Sequence, residues 1–298
     1  MVAGGQIRPK SRTRRSRESN RPADIEKRPL RRRIIGLPLR LVTFDRWGHR
    51  RLGALLEGEV VDLPDLVGHP AFPTSMEALV SSNGGTVLDA ARAALERDEA
   101  AALVVKGARL LPPILPTSLR SRDSAEGVRR VAGPGDEVPW PTGAGWLEYE
   151  PRIAAILRRG VRGAGSSREI EEAVFGYTLV SDFAVRDGSG DPTPRPDGLP
   201  VAIGPCVLTA DEIDPQTVFV TVRVDGDEWA KGNLNGTARD LLDEVGAASR
   251  LEALEAGEAF AASPLSFPQL DHRIWPGAEI ELEAEGIGVL RNRIARQG

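Results

Sequence analysis

The sequence predicts an α+β fold that is mainly β, and three observations predict it. Short runs rich in Val, Ile, Leu and aromatic residues, bounded by Gly, Pro or Asp, dominate from residue 146 onward. Apolar residues at helical spacing are concentrated in two windows, 75–105 and 167–174. Turn residues at Gly48, Gly58 and Asp225-Gly226-Asp227 separate the strand-like runs, and Asp-Gly tolerates the positive backbone angles that hairpin turns require.

Taken in order, residues 1–38 are a basic tail. Residues 1–33 carry 12 Lys+Arg against 3 Asp+Glu and leave 27 against 40 for the remainder, so a tail of +9 precedes a body of −13. A segment such as Ser11-Arg12-Thr13-Arg14-Arg15-Ser16-Arg17 is too polar and self-repelling to order itself, which predicts disorder there. The ordered body begins near Leu39 with strands at Leu41–Asp45 and within Leu52–Leu63. One or two amphipathic helices follow, with Met76, Leu79 and Val80, then Val87, Leu88, Ala91 and Leu95 on their apolar faces. Three prolines in Leu110–Pro116 cannot sit inside a helix and mark the passage from a small N-terminal domain, 39–112, to a larger one, 113–298. There, strands are expected at Ile153–Leu157, Phe175–Val180, Val201–Ile203, Val218–Val224 and Glu279–Leu282. One helix is expected among them, opening at Ser167 with an acidic first turn.

Composition bounds the function. The 298 residues are 41% hydrophobic and 28% charged, as in an ordinary globular chain. No apolar run approaches the ~20 residues of a membrane helix, and no apolar stretch follows the basic run as a signal peptide would need. The single cysteine, Cys206, excludes an intramolecular disulfide and fits a reducing, cytoplasmic setting. The acidic body has no base-reading motif, which argues against nucleic acid as the partner.

The acidic cluster worth testing is Glu148-Tyr149-Glu150 with Asp182. On a strand, Glu148 and Glu150 project to one side, and a third carboxylate from a neighbouring strand would complete an oxygen-ligand set for Mg²⁺, Mn²⁺ or Ca²⁺. Spacing alone favours a solvated strand face.

The C-terminal run Trp275-Pro276-Gly277-Ala278-Glu279-Ile280-Glu281-Leu282-Glu283-Ala284-Glu285-Gly286-Ile287-Gly288-Val289-Leu290-Arg291-Asn292 resembles the carboxy-terminal signature of the fumarylacetoacetate hydrolase family. Two further blocks are similar in the same order: Gly176-Tyr177-Thr178 leading to Ser181-Asp182-Phe183-Ala184-Val185-Arg186-Asp187, and Gly204-Pro205-Cys206-Val207-Leu208-Thr209-Ala210-Asp211-Glu212-Ile213. The resemblance covers roughly residues 39–298. It implies a mixed β-roll with the active site at one mouth, a homodimer, and metal-dependent hydrolysis or decarboxylation that breaks a C–C bond in a β-dicarbonyl or 2-oxo acid. Carried over residue by residue, Asp182 is implied as a metal ligand, and Arg186 as the catalytic group beside the substrate. Asp123, in Arg122-Asp123-Ser124, is implied as a further carboxylate of the site.

The chain also departs from the family pattern. Its Glu-x-Glu-Leu-Ala strand corresponds to Glu150-Pro151-Arg152-Ile153-Ala154, so Arg152 stands where a second ligand is expected. A shift of two residues would restore a Glu148/Glu150 pair and spoil the Ile153-Ala154 match. A guanidinium at ~4 Å from a cation is repelled by about 4 kcal/mol per unit charge at an effective dielectric of 20. No His follows Asp123, and His49, His69 and His272 are expected at the surface. Arg195 is the only cation in the proline-rich 191–200 loop, and the family's Thr-Gly-Thr-Pro loop corresponds to Ala261-Ala262-Ser263-Pro264. Two readings follow. One is a metal-dependent enzyme using Glu150, Asp182, Glu148 and Asp123. The other is a catalytically impaired homologue in which Arg152, Arg195 and Ser263 join Arg186 to bind a small carboxylate-bearing metabolite without metal.

Overall fold

A computed structural model describes residues 1, 38–82, 85–121, 124–126, 130–163, 166–233, 240–265 and 272–297. The basic tail expected over 1–38 lies outside the described residues except at its two ends, and so does Asp123. The chain is mainly β. Its first strands are β1 (Arg40–Arg46), β2 (His49–Leu56) and β3 (Glu59–Asp62), followed by helices α1 (Leu63–Val67), α2 (Met76–Val80) and α3 (Gly85–Leu95). The site-bearing part holds β4 (Leu119–Ser121), β5 (Trp146–Leu157), α4 (Ser167–Ala173), β6 (Val174–Arg186) and β7 (Val201–Thr209). The chain continues through β8 (Val220–Val224), β9 (Asp227–Gly232), α5 (Leu241–Leu251), β10 (Ala259–Ala261), β11 (Glu279–Ala284) and β12 (Gly288–Ile294).

Among the described residues these strands form two sheets. The larger has 14 strands and runs Val104–Val105, β3, β2, β1, β7, β6, β5, β10, β4, Ser124–Glu126, with short strands attached to its sides. The smaller has five: β9, β8, β11, β12 and Glu137–Val138. Most pairings are antiparallel, but β10 with β4 and β12 with Glu137–Val138 are parallel, so the sheets are mixed. The expected boundary at 112/113 falls between Leu110–Leu111, which pairs with β1, and β4.

The cores follow from strand alternation. Leu147, Tyr149, Ile153 and Ala155 of β5 point to one face and pack with Val222, Ile280, Leu282 and Leu290 of the smaller sheet. Tyr149 and Phe183 stack there with ring centroids 5.6 Å apart. Ala154 and Ile156 point to the other face, where Leu63, Met76, Leu79, Leu88 and Ala91 of the helices cover them. Glu148, Glu150 and Arg152 share the parity of Ala154 and Ile156. They therefore lie on the helix-covered face, further along the strand.

Local chemistry explains most boundaries. In the Glu57-Gly58 and Asp225-Gly226 turns both residues have positive φ, the geometry of tight hairpins. Helix α4 opens at Ser167 as expected, with its cap one residue earlier. Ser166 is its cap, accepting from Glu169 N while Glu169 reaches back to Ser166 N, a complete capping box. Strands β5, β6 and β7 run well beyond the apolar cores that announced them, because ladder pairing carries polar residues along with apolar ones. Helix α5 was not anticipated, since a single helix was expected after residue 146. Residue Leu63 opens α1 rather than ending a strand, because Asp62 caps it by accepting from Asp65 N. Cys206 is buried, and burial pushes its thiol up to about 12, so it is a packing residue.

Candidate active site

The ladder between β5 and β6 places the expected groups side by side. Glu150 stands opposite Asp182, Glu148 opposite Ala184, and Arg152 opposite Val180. A cleft of about 410 Å³ opens over Glu150, Arg152, Asp182 and Ala184, and its walls also include Arg120, Arg186, Arg195 and Ser263. Phe183, Thr193 and Pro264 face it as well. Residues 180, 182, 184 and 186 share a side of β6, so Asp182 and Arg186 reach the same space for the reason that Glu150 and Arg152 do.

Each described carboxylate of the expected ligand set, Glu148, Glu150 and Asp182, has a guanidinium partner. Arg152 Nη2 donates to Glu150 Oε2, and Arg152 Nη1 donates to Ala262 O at 3.0 Å. Arg195 Nη1 donates to Asp182 Oδ1 at 2.6 Å, while Phe183 N–H donates to the same oxygen at 2.9 Å. Arg186 Nε donates to Glu148 Oε2 at 2.6 Å, and Arg186 Nη2 binds the same oxygen. Arg152 thus pairs with Glu150, whereas Asp182 is taken by Arg195, which arrives from the 191–200 loop.

Charge decides what this arrangement can hold. Among the described lining residues, four arginines (Arg120, Arg152, Arg186 and Arg195) face two carboxylates, Glu150 and Asp182. Arg186 and Arg120 are in turn paired with carboxylates that lie outside the lining, Glu148 for the first and Glu252 with Glu258 for the second, so the cleft presents guanidinium donors without a net positive charge. Arg120 was not singled out in the sequence. Its hydrogen bond to Glu252 raises it above the usual guanidinium value, and the buried Glu258 adds to the effect. Arg152 Nε is buried with no hydrogen-bond partner among the described residues.

A divalent ion does not fit the described donor set. No three His, Cys, Asp or Glu side chains among the described residues are grouped so as to hold a metal ion. The two carboxylates that converge, Glu150 and Asp182, already accept from arginines, so an ion there would face two guanidinium charges at contact distance. His272 was expected at the surface but is half-buried, its Nδ1 2.8 Å from Tyr149 O, where it supports the backbone of β5. No helix among the described residues is long and apolar enough to cross a membrane.

The fold agrees with comparisons to known proteins. Residues 126–295 match the model described as fumarylacetoacetate (FAA) hydrolase C-terminal. The chain belongs to the fumarylacetoacetate hydrolase family. It is 28% identical over 161 residues to the 4-hydroxyphenylacetate degradation bifunctional isomerase/decarboxylase of Salmonella dublin, a match covering 52% of this chain and 36% of that one. It is 25% identical over 169 residues to an uncharacterized protein of Pyrococcus horikoshii, covering 53% and 70%. Among solved structures, maleylpyruvate hydrolase from Sphingobium sp. SYK-6, in complex with manganese(II) and pyruvate, superposes with a TM-score of 0.65 at 22% identity. That match covers 87% of this chain and 100% of that one, and at such identity the likeness is one of fold.

Proposed function

We propose that this family member binds a small carboxylate-bearing metabolite in the cleft through its arginines, without a divalent ion. The observation that carries this reading is that Glu150, Asp182 and Glu148 are each neutralised by a separate arginine. The four arginines in the walls support it, because a guanidinium fork matches a carboxylate with two parallel donors. The solved relative named with manganese and pyruvate supports a small acid as the ligand; its metal is not carried over. A metal-dependent hydrolase or decarboxylase is the second reading, favoured by the direct pairing of Glu150 with Asp182. It requires Arg152 and Arg195 to leave those carboxylates.

Thermal unfolding with short oxo and hydroxy acids, in the presence and absence of EDTA, separates the two. Ligand at about 100 times its Kd adds about 2.7 kcal/mol, worth about 5 °C in Tm for a domain of this size. The expected result is the same shift with and without chelator, and its loss in Arg152→Ala. A shift abolished by EDTA would sink the metal-free reading.

A further inference from the structure

The cleft wall that carries Ser263 interrupts a strand ladder. Ala262 N–H donates to Ile153 O at 2.9 Å and Leu265 N–H to Pro151 O at 2.8 Å. Ser263 and Pro264 therefore stand together opposite the single residue Arg152, which is a β-bulge, the device by which strands re-aim a side chain. Pro264 has no N–H, and that of Ser263 must find an acceptor outside the ladder. Glu244 of α5 supplies one. Its Oε2 accepts Ser263 N–H at 3.0 Å, and its Oε1 accepts the Ser263 hydroxyl hydrogen at 2.6 Å. Glu244 is 3% exposed and sits beside Leu241 and Val245 on the inward face of α5, where a carboxylate is costly unless hydrogen-bonded.

This contact fixes what Ser263 can offer a ligand. A serine hydroxyl has one hydrogen and two acceptor positions. With its hydrogen committed to Glu244, Ser263 presents acceptors alone to the cleft, while the neighbouring Arg152 presents donors alone. We infer that the cleft selects a hydroxy acid over the oxo acid of the same carbon skeleton. The carboxylate lies on the arginines and a ligand hydroxyl donates to Ser263 Oγ. An oxo oxygen would meet the Ser263 lone pairs with no hydrogen between them. Glu244 is then a positioning residue, acting on the ligand through Ser263. This inference rests on the carboxylate-binding reading.

Calorimetric titration of the full chain with matched pairs, lactate against pyruvate and 3-hydroxybutyrate against acetoacetate, tests it. At least one hydroxy acid should bind about tenfold more tightly than its oxo partner, the order expected for one neutral hydrogen bond. Glu244→Gln should shrink or invert the preference, because a glutamine N–H can donate to Ser263 Oγ and free the serine hydrogen for the ligand. Ser263→Ala should leave the paired acids equal. Equal or oxo-favouring binding by the parent, or a preference untouched in both variants, would overturn the inference and leave carboxylate binding standing. Failure of every acid to bind the parent would overturn both.

Discussion

Arg195 shows how a single side chain can decide the character of a cleft. Its guanidinium donates to Asp182 Oδ1 and Phe183 O at 2.6 Å, to Pro200 O at 2.9 Å and to Leu199 O at 3.2 Å. It ties the 191–200 loop to β6 and neutralises Asp182 in the same stroke. Removing one partner of a fully buried pair costs about 3–5 kcal/mol. Because Arg195 keeps 20% of its side-chain surface in water, Arg195→Ala is expected to lower stability by about 2 kcal/mol in urea denaturation. A change within about 0.5 kcal/mol, the range of ordinary surface substitutions, would show that the pair holds nothing together. The sequence made the face shared by Glu148, Glu150 and Arg152 legible, since alternation along a strand is a local property. It could not assign Arg195 to Asp182, because that contact depends on how a loop returns across the sheet. Glu244 was missed for the same reason: its role exists only where α5 meets the bulge at Ser263.

At the scale of elements, strand cores and turns were legible and strand ends were not. The apolar run at Ile153–Leu157 marks the half of β5 buried on both faces, whereas Trp146–Arg152 alternates because one side lines the cleft. Helix α5 had its own signal: Asp240 as cap, Asp243 and Glu244 in the first turn, and Arg250 in the last. Gly246 and the scattered apolar residues masked it. Gly176 sits where β6 pairs with β7, opposite Thr209 and beside Leu208. A Cβ on Gly176 would lie 2.3 Å from Leu208 O, a backbone atom that the ladder prevents from moving. Gly176→Ala should therefore cost about 2 kcal/mol or more, in the range of overpacking, despite the better strand propensity of alanine. Unchanged stability in thermal or urea unfolding would mean that the two strands can separate locally at no cost.

At the scale of the whole molecule, the fold is a three-layer arrangement in which the larger sheet is covered by helices on one face and by the smaller sheet on the other. The cleft lies on the helix-covered face, where α1, α2 and α3 no longer reach. That geometry exposes a short stretch of β5 and β6 to ligand while the rest of both strands remains core. The family was readable from the order of three blocks, because they shape turns and strands that the fold needs whatever the cleft does. The chemistry was less readable, because it rests on side-chain pairing across the sheet. The central claim is that arginines, rather than a metal ion, satisfy the carboxylates of this cleft. Titration of Mn²⁺ into chelator-treated protein by calorimetry, beside Arg152→Glu, tests it most directly. The parent should show no micromolar binding, with binding appearing in the variant once a guanidinium is exchanged for a carboxylate beside Glu150. Micromolar binding of one Mn²⁺ by the parent would contradict it.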